Sequence, residues 1–213
     1  MKVAILGATG RGGKRMIAEA VSRGHTVTAI SRSAADQPAR KDVKAVNCDI
    51  ADTKALTEAI RGHDAVIATW RPKPGSGDAW ASIKNGFNSL LTAMRAAGVK
   101  RVMVMGGAGS LEYSPGVLNI DRPDFPEAWK DGSRAGTQQL DMLREVKDLE
   151  WTYLSPAHEI FEGERTGKFR LGGDQLVMDK DGNSKISFED YAVAMIDELE
   201  NPKHTGRRFT LGY

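Results

Sequence analysis

Lys2-Val3-Ala4-Ile5-Leu6-Gly7-Ala8-Thr9-Gly10-Arg11-Gly12-Gly13 is the stretch whose reading decides the fold. An apolar, β-branched run enters three glycines spaced Gly-x-x-Gly-x-x-Gly, and Gly13, Met16, Ile17, Ala20 and Val21 then recur at helical spacing up to Gly24, a residue suited to the position just past a helix end. Strand, glycine turn and helix in that order open a βαβ unit. The composition of the turn has a chemical reason. A pyrophosphate rests against a helix N-terminus only when backbone N–H groups approach it closely, and glycine permits both the tight turn and the approach. Gly7 is expected to make the turn, Gly10 to face the phosphate and Gly13 to let the helix lie against the sheet. Thr9, Arg11 and Gly12 complete the loop, and Arg11 offers a second phosphate contact.

Outward from this unit the alternation continues. Short runs at 25–30, 43–46, 65–68, 101–105 and 151–154 alternate with helical patterns. This predicts an α/β, Rossmann-type, doubly wound and mostly parallel sheet with helices on both faces. A long helix is expected over 78–97, where Ile83, Phe87, Leu90, Leu91 and Met94 form one stripe ahead of Gly98; its leader, 71–77, reads as a loop. Another helix starts near Pro126 and carries Trp129, Ser133, Gly136, Leu140 and Leu143 on one side. The Gly- and Pro-rich segment 106–125 is a natural substrate loop. After Leu154 the pattern loosens into turns and short strands, a small C-terminal extension on the substrate side, before a helix over 188–199 and a strand over 207–211. No repeat, low-complexity tract or linker interrupts 1–213, so a single domain is expected.

Composition narrows the function classes. Thirty Lys and Arg against 28 Asp and Glu leave a formal charge of +2, scattered along the 213 residues. That gives little support to a nucleic-acid or membrane-surface partner. Cys48 is the one cysteine, which excludes an internal disulfide and a multi-Cys zinc site and fits a reducing compartment. The run 3–6 stops at Gly7, far short of a secretory core, and nothing approaches the roughly 20 apolar residues of a bilayer span. A cytoplasmic protein is expected, as monomer or homodimer, since Gly132 and Gly136 suit close packing within one chain or between two.

The second strand ends Ile30-Ser31-Arg32-Ser33. An NAD site places a carboxylate about 20 residues past the glycines to accept from the ribose 2′-OH. None stands here. An arginine pairs with a 2′-phosphate, with flanking serines as further donors. Arg32 thus favours NADP(H) over NAD(H); its structural alternative is a solvated residue after a strand.

The spacing of Gly7-Ala8-Thr9-Gly10, together with Cys48-Asp49-Ile50, Gly106-Gly107-Ala108-Gly109-Ser110-Leu111, Leu154-Ser155-Pro156-Ala157 and Ile186-Ser187-Phe188-Glu189-Asp190-Tyr191-Ala192, resembles the atypical short-chain dehydrogenase/reductase superfamily. Within it the chain is similar to biliverdin reductase B-like proteins and NAD(P)H-flavin reductases. The resemblance implies that Asp49 and Ile50 border the adenine and Ala68, Thr69 and Trp70 the ribose side. It also implies that Ser155, Pro156 and Ala157 lie at the nicotinamide and that Gly107 and Ala108 bind the cofactor. It makes Ser110 the candidate catalytic residue, at the place of the family's active-site serine. Each has a structural alternative: Asp49 as a turn residue, Trp70 as partial core, Pro156 as a strand end, Ser110 as the polar end of a glycine turn.

Carbonyl-reducing short-chain dehydrogenases use a Tyr-x-x-x-Lys pair, in which lysine lowers the tyrosine pKa. Here Tyr113, Tyr153 and Tyr191 are followed four residues later by Val117, Ala157 and Met195, and Tyr213 has no such successor. Hydride transfer to a planar conjugated acceptor, such as a flavin, a linear tetrapyrrole or a quinone, tolerates that loss because solvent can supply the proton. The alternative from another class is a redox-sensing regulator similar to NmrA-like proteins, binding cofactor without turnover. His158 and Tyr113 are further candidates for the pocket wall.

Residues 179–190 imitate a calcium loop, with Asp179, Asp181 and Asn183 at its first, third and fifth positions. Ser184 stands where glycine is needed, Asp190 replaces the bidentate glutamate, and no helical stripe precedes. The stretch reads instead as a hairpin turn at Asp181-Gly182 followed by a capping box, Ser187-x-x-Asp190. No metal is expected.

Overall fold

The expected alternation of short apolar runs and amphipathic helices becomes a layered α/β structure, seen in a computed structural model that describes residues 1–36, 41–71 and 77–213. Of the leader loop read at 71–77, residues 72–76 lie outside the described residues. The strands are β1 (Lys2–Leu6), β2 (Thr26–Ser31), β3 (Val43–Asn47), β4 (Ala65–Ala68), β5 (Arg101–Met105), β6 (Glu112–Ser114), β7 (Val117–Leu118), β8 (Glu150–Ser155), β9 (Glu159–Phe161), β10 (Arg170–Gly172), β11 (Lys185–Ser187) and β12 (Arg207–Gly212). The helices are α1 (Arg11–Ser22), α2 (Thr53–Ile60), α3 (Ala79–Ala97), α4 (Glu127–Arg144) and α5 (Phe188–Glu200).

Eight strands form the central sheet in the order β10-β12-β8-β5-β4-β1-β2-β3. Every neighbouring pair is parallel except β10 with β12. The period of two along β1 sends Val3 and Ile5 into one core and Ala4 and Leu6 into the other. Met16, Ile17 and Ala20 of α1 meet Tyr191, Met195 and Ile196 of α5 in the first core. Leu56 and Ile60 of α2, Phe87 and Leu90 of α3, and Leu140 and Leu143 of α4 fill the second. The chain winds from β1 through β2 to β3 on one side, then crosses back to β4 and proceeds outward through β5, β8 and β12 on the other. A switch point therefore lies between β1 and β4, where the connections diverge at the carboxyl edge, the place at which open parallel sheets take their ligands.

Several local readings need correction. Pro126 caps α4 from outside rather than occupying its first turn. Asp181-Gly182 is a closed turn, not a hairpin: Asp179 Oδ1 accepts from the N–H groups of Asp181 and Asn183 at 2.9 and 2.8 Å, and Gly182 holds φ +81°. β11, the strand that follows, pairs with β9 in parallel. The capping box is half made. Ser187 Oγ accepts from Asp190 N at 3.0 Å, but the Asp190 carboxylate turns to Thr166 Oγ1 and Gly167 N. That carboxylate serves the preceding loop, so it does not reciprocate. In the calcium-like stretch the helix begins at Phe188, inside the would-be loop. Among the described residues, no cluster of His, Cys, Asp or Glu is placed to hold a metal ion, and no helix is long and apolar enough to cross a membrane.

Candidate dinucleotide and acceptor site

The turn from β1 into α1 is held open by backbone contacts. Gly7 N donates to Ile30 O at 3.0 Å and Gly10 N to Gly7 O at 2.9 Å. Gly7 has φ +77°, and a Cβ there would stand 2.9 Å from Trp70 N, so a side chain is both strained and obstructed. At Gly13 a Cβ would collide with Gly7 O and lie 2.8 Å from the Ala8 Cα, which forces the helix up against the strand end. Gly10 is the N-cap of α1, no side chain caps its amides, and no acidic residue stands in its first turn. By contrast Asp52, Asp78 and Ser187 cap α2, α3 and α5 through their side chains. Among the described residues the mouth of α1 thus keeps its N–H groups without a side-chain cap at a positive dipole end, the arrangement that receives a diphosphate. The glycine cradle and bare amides fit a dinucleotide: Gly7 to Gly13 would hold its phosphates. Arg11 sits beside the mouth, its Cζ 5.2 Å from the Phe188 ring centroid.

Because the strands run parallel, the loops that follow them gather at the same edge. Arg32 is exposed just past β2. Asp49 follows β3, with Oδ1 accepting from Ala51 N at 2.9 Å, so its carboxylate shapes a turn. Ala68 is buried in the core at the end of β4. Thr69 Oγ1 donates to Leu6 O at 2.7 Å, stitching β4 to the glycine turn. Ile50 and Trp70 meet at α3: a Cβ on Gly86 would stand 3.1 Å from Ile50 Cγ2 and 3.0 Å from the Trp70 ring. Pro156 is buried after β8, and the wholly buried Ser155 Oγ beside it has no hydrogen-bond partner among the described residues.

The loop after β5 carries the residues expected at the acceptor. Gly107 N donates to Tyr153 Oη at 3.1 Å, and Tyr153 Oη to Gly136 O at 2.9 Å, which ties β5, β8 and α4 together. Ala108 O accepts from Asn119 Nδ2 at 3.3 Å, leaving Asn119 Oδ1 to face His158 Nδ1 at 3.0 Å. The imidazole therefore carries its proton on Nδ1 and its lone pair on Nε2. Burial first, then the Arg122 cation, lowers the His158 pKa and keeps the ring neutral. Phe125 and Trp129 pack around it at centroid distances of 5.9 and 6.3 Å. Tyr113 lies under the Arg122 guanidinium. Ser110 is half-buried, and its Oγ accepts from Arg208 Nη1 at 2.8 Å. Sequence reasoning missed Arg71, whose Nη2 donates to Met105 O at 3.1 Å and whose guanidinium fills the space left by Gly136. It also missed Arg208. Neither carries a local signal, since each reaches its partner across the fold.

A family model described as NAD(P)H-binding matches residues 7–202. The uncharacterised protein YwnB of Bacillus subtilis (strain 168) is 35% identical over 215 residues, covering 99% of this chain and 98% of that protein. Among solved structures, a "putative exported protein" from Burkholderia pseudomallei superposes with a TM-score of 0.90 at 41% identity over 100% of both chains. A "putative NADH-flavin reductase" from Streptococcus pneumoniae TIGR4 gives 0.83 at 36% identity over 100% of this chain and 99% of that one.

Proposed function

Since the chain belongs to the NAD(P)H-binding family, we propose that it is an NADPH-dependent oxidoreductase passing hydride to a flavin or a similar planar conjugated acceptor. The observation that carries this reading is the uncapped, glycine-built mouth of α1 at the switch point of a parallel sheet. The bound nicotinamide supplies the hydride. The chain's own residues do the rest. Gly7 to Gly13 grip the diphosphate, Arg32 selects the 2′-phosphate, and the loops after β5 and β8 align the ring with the acceptor. The missing Tyr-x-x-x-Lys pair favours acceptors whose reduction draws its proton from water. Phe125, Trp129 and the neutral His158 offer flat apolar surface for a conjugated ring. Turnover belongs in a compartment that supplies reduced dinucleotide, which supports a cytoplasmic site of action.

The test follows NADPH oxidation by its near-ultraviolet absorbance with FMN, riboflavin, biliverdin and a quinone in turn. Reduction of at least one is expected. Saturable NADPH binding with no reduction across the panel would instead leave a cofactor-sensing protein.

A further inference from the structure

The β5 loop ends in a hydroxyl backed by a cation. Arg208 lies on β12, 98 positions from Ser110 in the chain, and its side chain is only 5% exposed. Its Nη1 donates to Ser110 Oγ at 2.8 Å and to the Ser110 carbonyl at 2.9 Å. Its Nε donates to Asp174 Oδ1 at 2.8 Å, and Nη2 reaches the same oxygen. Asp174 is anchored in turn, because Glu112 N donates to its carbonyl at 2.8 Å and Leu176 N to Glu112 O at 2.9 Å. The guanidinium is thus clamped between the loop after β5 and the segment after β10.

A guanidinium has donors only, so Ser110 Oγ is the acceptor of this pair and its own proton must point away from Arg208. A hydroxyl that accepts from a cation becomes a stronger donor itself. We propose, resting on the hydride-transfer reading above, that Arg208, braced by Asp174, is a positioning residue that turns and polarises the Ser110 hydroxyl toward the acceptor. The chain thereby regains, from a loop and a distant strand, the hydroxyl beside a fixed positive charge that Tyr-x-x-x-Lys supplies within one helix. In the reaction the acceptor gains hydride as NADPH becomes NADP⁺, and its proton comes from solvent. Ser110 donates a hydrogen bond to the acceptor atom on which negative charge gathers and keeps its own proton.

The pairing is tested first without turnover. In a Cys48→Ala background, Ser110→Cys places a thiol beside Arg208, and its titration is followed by thiolate absorbance. The thiol pKa is expected to fall by about one unit or more below that of a free cysteine and to return when Arg208→Met is added. Identical titrations with and without Arg208 overturn the proposal. Turnover supplies the second arm. Arg208→Met is expected to lower kcat roughly 10- to 100-fold, with the NADPH dissociation constant unchanged and most activity regained in Arg208→Lys. The same substitution costs little more in a Ser110→Ala background. Equal losses in both backgrounds overturn the coupling. Should the parent protein reduce no acceptor, the hydride reading fails, while the thiol titration still decides whether Arg208 acts on position 110.

Discussion

At the scale of single residues, Arg32 and Gly13 separate recognition from architecture. Arg32 is exposed past β2, so its replacement leaves the core untouched. Arg32→Asp is expected to weaken NADPH roughly 10- to 100-fold, the worth of a charge-assisted contact, while NADH binds as well or better. Fluorescence titration with both cofactors measures this, and an equal loss for the two would remove Arg32 from the selectivity argument. Gly13→Ala acts on the frame. Its methyl meets the backbone of Gly7 and Ala8, neither of which can swing aside as a side chain end would. A loss of about 1–3 kcal/mol in stability is expected, together with weaker binding of both dinucleotides. A variant that melts and binds like the parent would show that α1 has room to retreat.

The element scale turns on how helices are closed. Ser187 Oγ is buried, receives Asp190 N at 3.0 Å, donates to Glu164 O at 2.9 Å and lies 2.9 Å from Tyr213 Oη. Ser187→Ala uncaps α5 and strands those groups, with an expected cost of about 1–2 kcal/mol. Thermal unfolding reads it, and an unchanged midpoint would mean that the cap contributes nothing net. Legibility in the sequence follows the same divide between local and distant. The glycine turn, the stripe of α3 and its end at Gly98, which holds φ +75°, are written in neighbouring residues and were readable. α2 was not singled out, since its eight residues bury only Leu56, Thr57 and Ile60, too short a stripe to stand out. Asp52, its capping residue, was the available signal. Tyr153 illustrates the distant kind. As a catalytic tyrosine it fails on spacing, and only the folded chain shows its hydroxyl joining Gly107 to Gly136. The Arg208 clamp on Ser110 was unreadable for the same reason.

For the whole molecule, buried charge makes stability depend on pH. Glu198, on α5, is 4% exposed and receives Arg101 Nη2 at 3.2 Å, His204 N at 2.8 Å and His204 Nδ1 at 2.8 Å. Burial pushes its pKa up, but the hydrogen bonds from His204 and the backbone of Lys203 outweigh it and hold the carboxyl below its ordinary 4.5. A folded value below the unfolded one means that the stabilisation is complete above pH 4.5 and is lost as pH falls through the folded value. The melting temperature is therefore expected to hold near neutrality and to drop below that point. Glu198→Gln should cost about 3 kcal/mol near neutrality and flatten the acid limb. Parallel curves for variant and parent would exclude Glu198 from the acid transition.

The packing of α1 against α5 carries a consequence for biosynthesis. Arg15 pairs with Glu189, and Arg23 with Asp197 and Glu200, so α1 is completed by a helix synthesised much later in the chain. A nascent chain arrested before Phe188 has its glycine turn but not the wall that steadies it. Dinucleotide capture is therefore expected only once α5 has docked, and a chain truncated before Phe188 is expected to give no saturable NADPH titration.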